Sequence, residues 1–356
     1  MNPSIRIHKW DNLKSILMFL VVIGHFANQL TDESLIMKSI SLFIYAFHMP
    51  LFIFVSGLFC KSWLEKEFSW EKPMYYILIG YLLKICIYLV KISFGKSPNF
   101  YLFEDTGIPW FMFAMAAFMV ITYLTKKWNW KILLPFSILL ACIAGYFDQI
   151  GNFLYLSRIL VFFPFYYIGY LLKPAVVLEK VNHRFMKGLS LAILTCGLLV
   201  CVFCIKDCYS YIRLFTARNA YEFINVDHCG ALHRLAWYGI AMIMSLSVII
   251  LTPNKEFKLA DKIGQRTLQI YFWHRLILYV IMYSGFAKQL MEQMPMFWEM
   301  VYLAIAMVVT LLLVPKCFSL PLTLLKHWED SMEKLSFYIE RKVLSYYHSR
   351  KRLRHA

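Results

Sequence analysis

Ten mostly apolar windows restrict what this chain can fold into more than any other feature of the sequence. They cover residues 13–30, 39–60, 74–94, 109–125, 130–148, 154–172, 187–205, 232–251, 267–285 and 298–322. A helix of about 20 apolar residues crosses the hydrocarbon core of a bilayer. Hydrophobic residues make up 60% of the 356 residues and charged residues only 16%, a balance too apolar for a soluble domain. The sequence therefore predicts an all-α, polytopic transmembrane helix bundle with about ten spans.

The distribution of basic residues predicts the orientation of this bundle. Lys and Arg outnumber Asp and Glu by 37 to 21, which gives a net charge of +16. If the N terminus is cytoplasmic, 26 of the 37 basic residues lie in cytoplasmic segments and eight in loops on the opposite side. Because cytoplasmic loops collect Lys and Arg, we expect a multi-pass protein of the cell (inner or plasma) membrane with both termini in the cytoplasm. The same bias explains the positive charge without a nucleic-acid partner.

The chain divides into a membrane domain, residues 1–325, and a basic cytoplasmic tail, residues 326–356, which is expected to contact anionic membrane lipid. No small-residue cleavage motif follows the first apolar window, which favours a retained span over a removed signal peptide. The longest non-cytoplasmic loop, about 206–234, mixes aromatic and charged residues. It is either a recognition surface for a polar ligand or a packed cap. Internal repeats are absent from the sequence, which weakens a transporter interpretation.

Ionisable residues inside apolar windows are costly and therefore mark candidate functional positions. Asp11 and Lys14 stand at the start of the first window, three residues apart on one helix face, and His25 lies 11 residues beyond Lys14. At 100° per residue, Lys14 and His25 differ by three turns and roughly 20°, with a rise of about 16 Å. They are expected to share one face. The alternatives are an interfacial Asp11–Lys14 ion pair and a structural role for His25.

Three further windows carry polar residues of the same kind. We expect His48 to approach His25 in the outer half of the bundle, where Pro50 opens the second window, and Ser56-Gly57 to permit close helix contact. Arg158 begins the sixth window and should face the interior, where it meets an anion or a carboxylate. His274 and Arg275 stand about two turns into the ninth window.

Most of the nine cysteines lie in apolar windows, so we expect no metal site and mostly reduced, apolar packing residues. Cys208 and Cys229 flank the long outer loop, and a disulfide between them stays open as an alternative to two free thiols.

Four motifs occur in order along these windows. A basic residue and a histidine separated by ten residues, Lys14 and His25, come first; FHMPLFIFVSG, IPWFMFA with Trp110, and GQRTLQIYFWH ending at His274 follow. Through about residue 320, this order resembles the membrane-bound acyltransferase 3 family and, within it, the fucose 4-O-acetylase-like branch of sugar O-acetyltransferases. Many members have Arg where this chain has Lys14, which keeps the charge but loses the bidentate fork.

The resemblance implies transfer of an acetyl or other short acyl group from cytoplasmic acyl-CoA, with acetyl-CoA as the expected donor. The acceptor would be a sugar hydroxyl in a surface glycan or glycolipid, which makes the reaction a polysaccharide modification. His25 would be the general base or a transient acyl carrier. Asp11 would orient Lys14, and Lys14 would meet the CoA phosphates or the pantetheine arm.

The remaining candidates receive binding roles. Arg158 is expected to bind the donor as well as the acceptor, and Trp110 to bind the acceptor. Arg158 and His48 are candidates to hold the acceptor or to stabilise the oxyanion. His274 either does the same or has a structural role. The main competing hypothesis is a transporter or flippase for a glycolipid or small anion, in which the same residues line a conduction path. A receptor or scaffold is a third class. Chemical turnover distinguishes the enzyme from both.

Overall fold

A computed structural model describes residues 7–104, 107–179 and 184–326, and within these ranges it is helical without β-strands. The α-helices are α1 (His8–Gln29), α2 (Leu35–Tyr45), α3 (His48–Leu58), α4 (Lys61–Leu64), α5 (Glu71–Ser93), α6 (Trp110–Thr125), α7 (Trp130–Ala144), α8 (Leu156–Leu171), α9 (Pro174–Glu179), α10 (Arg184–Phe203), α11 (Ile205–Cys208), α12 (Ile212–Phe215), α13 (Gly230–Leu251), α14 (Lys258–Gln265), α15 (Thr267–Tyr283), α16 (Phe286–Gln293) and α17 (Trp298–Leu312). Apart from Lys326, the predicted basic tail, residues 326–356, lies outside the described residues.

Six of the described helical segments are long and apolar enough to cross a membrane. They are His8–Gln29, Leu35–Leu58, Glu71–Ser93, Phe153–Leu171, Arg184–Phe203 and Asp227–Leu251. A seventh results if α17 and the helix Lys316–Lys326, which are bent by 78°, form one span, and α6 and α7 are shorter apolar helices. Each of the ten predicted windows falls on helix, which confirms an all-helical membrane protein. The number of crossings and the side of the termini stay predictions.

The second predicted window is not one straight helix, because the chain breaks at Ala46 and Phe47. Pro50 lies in the first turn of α3, where a missing N–H costs no helical hydrogen bond. The break therefore coincides with the opening that was expected near Pro50. As a result, α2 ends at Tyr45 and α3 begins at His48. The centres of the Tyr45 and His48 rings are 4.9 Å apart.

Two glycines bring α3 and α8 into backbone contact. A Cβ atom at Gly57 would lie 2.0 Å from the carbonyl oxygen of Tyr166, and one at Gly169 would lie 2.1 Å from that of Phe54. Any larger residue would force the helices apart, as small residues at helix contacts imply. The close contact predicted at Ser56-Gly57 is thus confirmed, and it holds α8 directly against α3.

The start of α1 is attached to the segment that leads into α14 and α15. Asn12 Nδ2 donates hydrogen bonds to the carbonyl oxygens of Pro253 and Lys255 at 2.9 and 2.8 Å. Gly264 packs so closely that a Cβ atom there would lie 2.4 Å from the Asp11 carbonyl oxygen. This attachment fixes the position of Lys14, one turn further along α1.

A buried glutamine supports the bend at the end of α17. Pro315 interrupts the last window, and a helix broken at proline leaves carbonyl groups without partners. Gln269 Nε2 lies within hydrogen-bonding distance of the carbonyl oxygens of Leu313, Val314 and Pro315, at 2.6, 3.0 and 3.1 Å. The polar side chain of Gln269 within α15 therefore has a structural role.

The predicted outer loop, 206–234, folds into α11, α12, short 3-10 turns and the first turn of α13. It is anchored by buried contacts: Tyr221 Oη donates to the Cys142 carbonyl at 2.8 Å, and Arg234 Nη1 donates to the Leu214 carbonyl at 2.6 Å. Ala217 has a strained φ of 54°, and its carbonyl accepts a 2.9 Å hydrogen bond from Ser157 Oγ. The segment packs as a cap on the bundle, and six of its residues between Ile212 and Asn219 line a cavity.

Candidate functional site

A cavity of about 230 Å³ lies where α1, α2, α3, α6, α8 and α15 meet the cap. Its polar lining includes His25, Tyr45, His48, Arg158 and Arg275, so we call it the histidine cavity. Sites for small ligands are commonly concave, mostly apolar and lined by a few converging polar groups. The histidine cavity has this character, because aromatic residues from α6 and α8 form much of the rest of its wall.

Tyr45 links the two histidines that were expected to approach each other. Its hydroxyl lies 3.1 Å from His25 Nδ1, and its ring meets the His48 ring edge-on at 4.9 Å. The hydrogen bond at Nδ1 orients the His25 ring about its Cβ–Cγ bond. If the His25 Nδ1–H group donates the hydrogen bond to Tyr45 Oη, the neutral ring keeps a lone pair on Nε2, which can accept a proton.

Backbone carbonyl groups set the tautomers of the other two histidines. His48 Nδ1 lies 2.8 Å from the Ile44 carbonyl oxygen, and His274 Nδ1 lies 3.0 Å from that of Ile270. A carbonyl only accepts, so Nδ1 carries the proton in both rings and the neutral form leaves Nε2 as an acceptor. The His274 ring stacks on that of His25 at 5.4 Å, and its buried Nε2 has no partner among the described residues.

Two guanidinium groups enter the histidine cavity from the membrane helices. Arg158 is buried at the start of α8, with its Cζ atom 5.2 Å from the centre of the Trp110 ring, which is a cation–π distance. Arg275 Nη2 donates to Tyr279 Oη at 3.2 Å. With its side-chain oxygen turned toward Arg275, Gln29 accepts from Nη1 at 3.0 Å and from Nη2 at 3.1 Å. The guanidinium group of Arg275 therefore lies beside Gln29, one turn of α1 beyond His25.

A second cavity of about 290 Å³ lies beside the start of α1, and we call it the lysine cavity. Asp11 and Lys14 line it together with residues of α3, α14 and α15. Lys14 Nζ lies 3.8 Å from Asp11 Oδ1 and 4.5 Å from the centre of the Phe59 ring. The cation is thus held between a carboxylate and an aromatic face, where it can meet an anionic ligand as a point charge.

The two cavities follow one another along the same helix faces. On α1, the residues lining the lysine cavity are Asp11, Lys14 and Leu17, and those lining the histidine cavity are Val21, His25 and Asn28. These positions recur every three or four residues and therefore form one stripe. Phe52 of α3 lines both cavities, and its ring packs edge-on against Phe111 at 5.6 Å. Phe52 is the partition between them.

The structure divides the predicted site residues into two groups. His25, His48, Trp110 and Arg158 line the histidine cavity, His274 stacks behind His25, and Asp11 and Lys14 line the lysine cavity. Arg158 and Lys14, which were both expected to bind the acyl donor, are not brought together. Arg158 begins α8 under the cap, whereas Lys14 lies near the opposite end of α1.

Sequence reasoning missed Tyr45 entirely and assigned no role to Arg275 or to Arg213 and Arg218 of the cap. All four line the histidine cavity. Tyr45 has a signal in the sequence, because it is a polar aromatic residue three positions before His48 in the same apolar window. The two cap arginines carry no such signal, since their position depends on how the segment 205–229 folds back over the bundle.

The nine cysteines are free thiols in the described part of the chain. Cys229 Sγ lies 3.4 Å from His233 Nδ1, and no disulfide joins Cys229 to Cys208. Burial raises the pKa of the Cys208 thiol, and the neighbouring Cys204 and Asp207 raise it further. Of the two alternatives for this pair, the structure has two separate thiols.

Comparison with known proteins identifies the family. The family model described as an acyltransferase domain matches residues 7–315, which include every residue that lines the two cavities. The chain belongs to the acyltransferase 3 family. Together with the apolar helices, this membership makes the protein a membrane acyltransferase. No solved protein structure matches it.

One curated relative is the nodulation protein NolL of Sinorhizobium fredii. It is 24% identical over 233 residues, which is 59% of this chain and 61% of the relative. The chain thus spans less than two thirds of the length of that protein. The similarity is distant, so the substrates of this acyltransferase have to be inferred from its own cavities.

Proposed function

We propose that this acyltransferase moves an acetyl or other short acyl group from acyl-CoA to a hydroxyl group of a sugar in a glycan or glycolipid. One observation carries the proposal: Lys14 and His25 lie on one stripe of α1, in two cavities separated by Phe52. A transferase needs separate places for donor and acceptor that adjoin at the reacting atoms. The lysine cavity suits the donor, and the histidine cavity suits the acceptor.

His25 is the proposed general base. The sugar hydroxyl attacks the thioester carbonyl carbon and gives its proton to the His25 ring as the new C–O bond forms. The C–S bond then breaks, and the proton passes from His25 to the leaving thiolate. Tyr45 holds the ring at Nδ1 throughout. Transient attachment of the acyl group to His25 itself is the alternative route to the same products.

Arg275 is the proposed stabiliser of the negative charge that develops on the carbonyl oxygen. It lies one turn of α1 beyond His25, and Gln29 and Tyr279 hold its guanidinium group in place. A preorganised cation in a water-poor site lowers the energy of a developing oxyanion most effectively. His48 of α3 and Arg158 of α8 line the same cavity and are proposed to bind the acceptor.

Lys14 is proposed to bind the phosphates or the pantetheine arm of acyl-CoA, with Asp11 fixing its direction. Binding at this end of α1 places the donor in the cytoplasm if both termini are cytoplasmic, as the excess of Lys and Arg indicates. The acceptor then reaches the histidine cavity from the outer side of the cell membrane. Ten crossings and membership of the fucose 4-O-acetylase-like branch complete the proposal.

The test is acetyl transfer by the purified full-length protein in detergent. Acetyl-CoA labelled in the acetyl group is supplied with a sugar acceptor, and release of CoA and labelling of the sugar are both measured. His25→Gln should reduce turnover by about 100-fold or more, the usual contribution of general acid–base catalysis. His228→Gln is the matched control, because that side chain is 98% exposed on the cap.

The outcome separates the competing functions. Wild-type turnover in the His25→Gln variant would contradict the catalytic role of this histidine. If the protein neither binds nor cleaves acetyl-CoA, and membranes containing it move an unmodified glycolipid, a transporter replaces the proposed enzyme. A labelled protein intermediate that disappears in His25→Gln would select the acyl-carrier route over the general-base route.

A further inference from the structure

The charge of the histidine cavity is strongly one-sided. Four arginines line it: Arg158, Arg213, Arg218 and Arg275. Among the described residues that line this cavity, none is Asp or Glu. This excess of positive charge is larger than one carboxylate from a neighbouring segment could neutralise. A neutral sugar needs no such concentration of guanidinium groups.

The two cap arginines are the most informative of the four. Burial lowers the pKa of Arg218, and the positive charge of Arg213 lowers it further. Arg213 Nη1 is held by the Phe223 carbonyl oxygen at 2.7 Å. No carboxylate of the described residues forms an ion pair with either arginine. Two like charges, one on the exposed Arg213 and one on the half-buried Arg218, therefore lie on the same cavity wall, and a bound anion would relieve the repulsion between them.

The backbone presents Arg218 to the cavity next to a strained residue. Ala217, between Thr216 and Arg218, has a φ of 54°, and Ser157 of α8 binds its carbonyl oxygen. Strained non-glycine residues persist where the surrounding structure fixes them and are concentrated at ligand sites. Thr216, Arg218 and Asn219 on either side of Ala217 all line the cavity. The turn is built to direct polar side chains inward.

From these observations we infer that the acceptor is an anionic saccharide, whose carboxylate or phosphate group binds Arg213 and Arg218 while one of its hydroxyl groups faces His25. This inference rests on the proposed function and names the acceptor class. Arginine binds both carboxylates and phosphates in bidentate geometry. The aromatic wall formed by Trp110 and Phe162, whose rings stack at 5.3 Å, provides an apolar surface for the sugar ring.

Direct binding tests the inference without relying on turnover. Calorimetry with the purified full-length protein would compare two matched pairs of probes: digalacturonate against digalactose, and galactose 1-phosphate against galactose. At least one anionic probe should bind about tenfold more tightly than its neutral partner, a difference of about 1.4 kcal/mol. Tighter binding of the uronate identifies a carboxylate as the anion, and tighter binding of the phosphate identifies a phosphate ester.

Variants locate the site of this preference. Arg218→Gln should abolish the preference for the anionic probe, and Arg218→Lys should keep part of it, because lysine retains the charge without the fork. Lys206→Gln, on exposed α11 in the same cap, is the matched control and should behave as wild type. Equal binding of charged and neutral probes would overturn the inference. So would failure of both anionic probes to bind, or a preference that survives in Arg218→Gln.

The failure of this inference differs from the failure of the proposed function. If acetyl transfer proceeds equally well to digalactose and digalacturonate, the protein is a sugar acyltransferase but the acceptor is not selected by charge. If the anionic probe binds preferentially and Arg218→Gln abolishes the preference, yet no acyl-CoA supports transfer, the anion site stands and the transferase proposal fails.

Discussion

Replacing Tyr45 with phenylalanine tests how the histidine cavity activates its base. The variant keeps the ring that packs edge-on against His25 and His48 and removes only the hydroxyl group, which lies 3.1 Å from His25 Nδ1. His25 keeps its stacking contact with His274. The Tyr45→Phe protein should therefore fold normally and hold His25 less firmly.

The size of the effect follows from the single hydrogen bond that is lost. Such a bond contributes about 0.5–1.5 kcal/mol. If this energy is needed to orient the ring in the transition state, and each 1.36 kcal/mol is a factor of ten, kcat falls by roughly two- to thirteenfold. The KM for acetyl-CoA should not change, because Lys14 lies about 16 Å away along α1.

Steady-state kinetics with varied acetyl-CoA and fixed acceptor measure both quantities. Tyr146→Phe is the matched control, because its hydroxyl group accepts one hydrogen bond, from the Ala231 N–H at 3.3 Å, outside both cavities. A wild-type kcat for Tyr45→Phe would refute the positioning role of Tyr45. A loss as large as that of His25→Gln would refute it differently, because Tyr45 would then take part in the proton transfer itself.

Three further substitutions test the two cavities and the helix contact that supports them. Lys14→Gln should raise the KM for acetyl-CoA by about tenfold in steady-state kinetics and leave the KM for the acceptor unchanged, because a charged hydrogen bond is worth about 1.5–3 kcal/mol. Phe52→Trp should slow acetyl transfer by at least about tenfold without weakening CoA binding, because a larger ring misaligns the groups that must meet there. Gly57→Ala should destabilise the protein by about 1–3 kcal/mol in thermal melts, because its methyl group would lie 2.0 Å from the Tyr166 carbonyl oxygen.

Each of these variants has a control on the same kind of residue. Lys288→Gln removes an 84% exposed amine paired with Glu292 and should not change either KM. Phe203→Trp, at the exposed end of α10, should transfer acetyl groups at the wild-type rate. Gly239→Ala adds a methyl group that meets nothing within 4 Å and should melt with the wild type. If a test variant behaves like its control, the assigned role is wrong.

Helix geometry made the stripe from Lys14 to His25 predictable. Because α1 runs without interruption from His8 to Gln29, a rotation of 100° per residue places both side chains on one face. The break before Pro50 was also predictable from a local rule, since proline restricts the backbone around it. Local rules of this kind are reliable within one helix and at its ends.

The rest of the site depends on tertiary packing. Whether Tyr45 meets His25 depends on how α2 turns against α1, and whether Arg275 meets Gln29 depends on the depth at which α15 packs. Arg213 and Arg218 reach the cavity only because the cap folds back and is anchored at α8. No periodicity in the sequence carries that information, which is why three of the four arginines of the cavity received no role from the sequence and Arg158 received more than one.

Mass spectrometry of surface glycans tests the central claim most directly. Cells that carry the wild-type protein, the His25→Gln variant or the His228→Gln control would be compared for glycans heavier by one acetyl group. We expect the acetylated glycan with the wild type and with His228→Gln, and its loss with His25→Gln at equal protein abundance. The same acetylated glycan in His25→Gln cells, or in cells that lack the protein, would contradict acyl transfer at the histidine cavity.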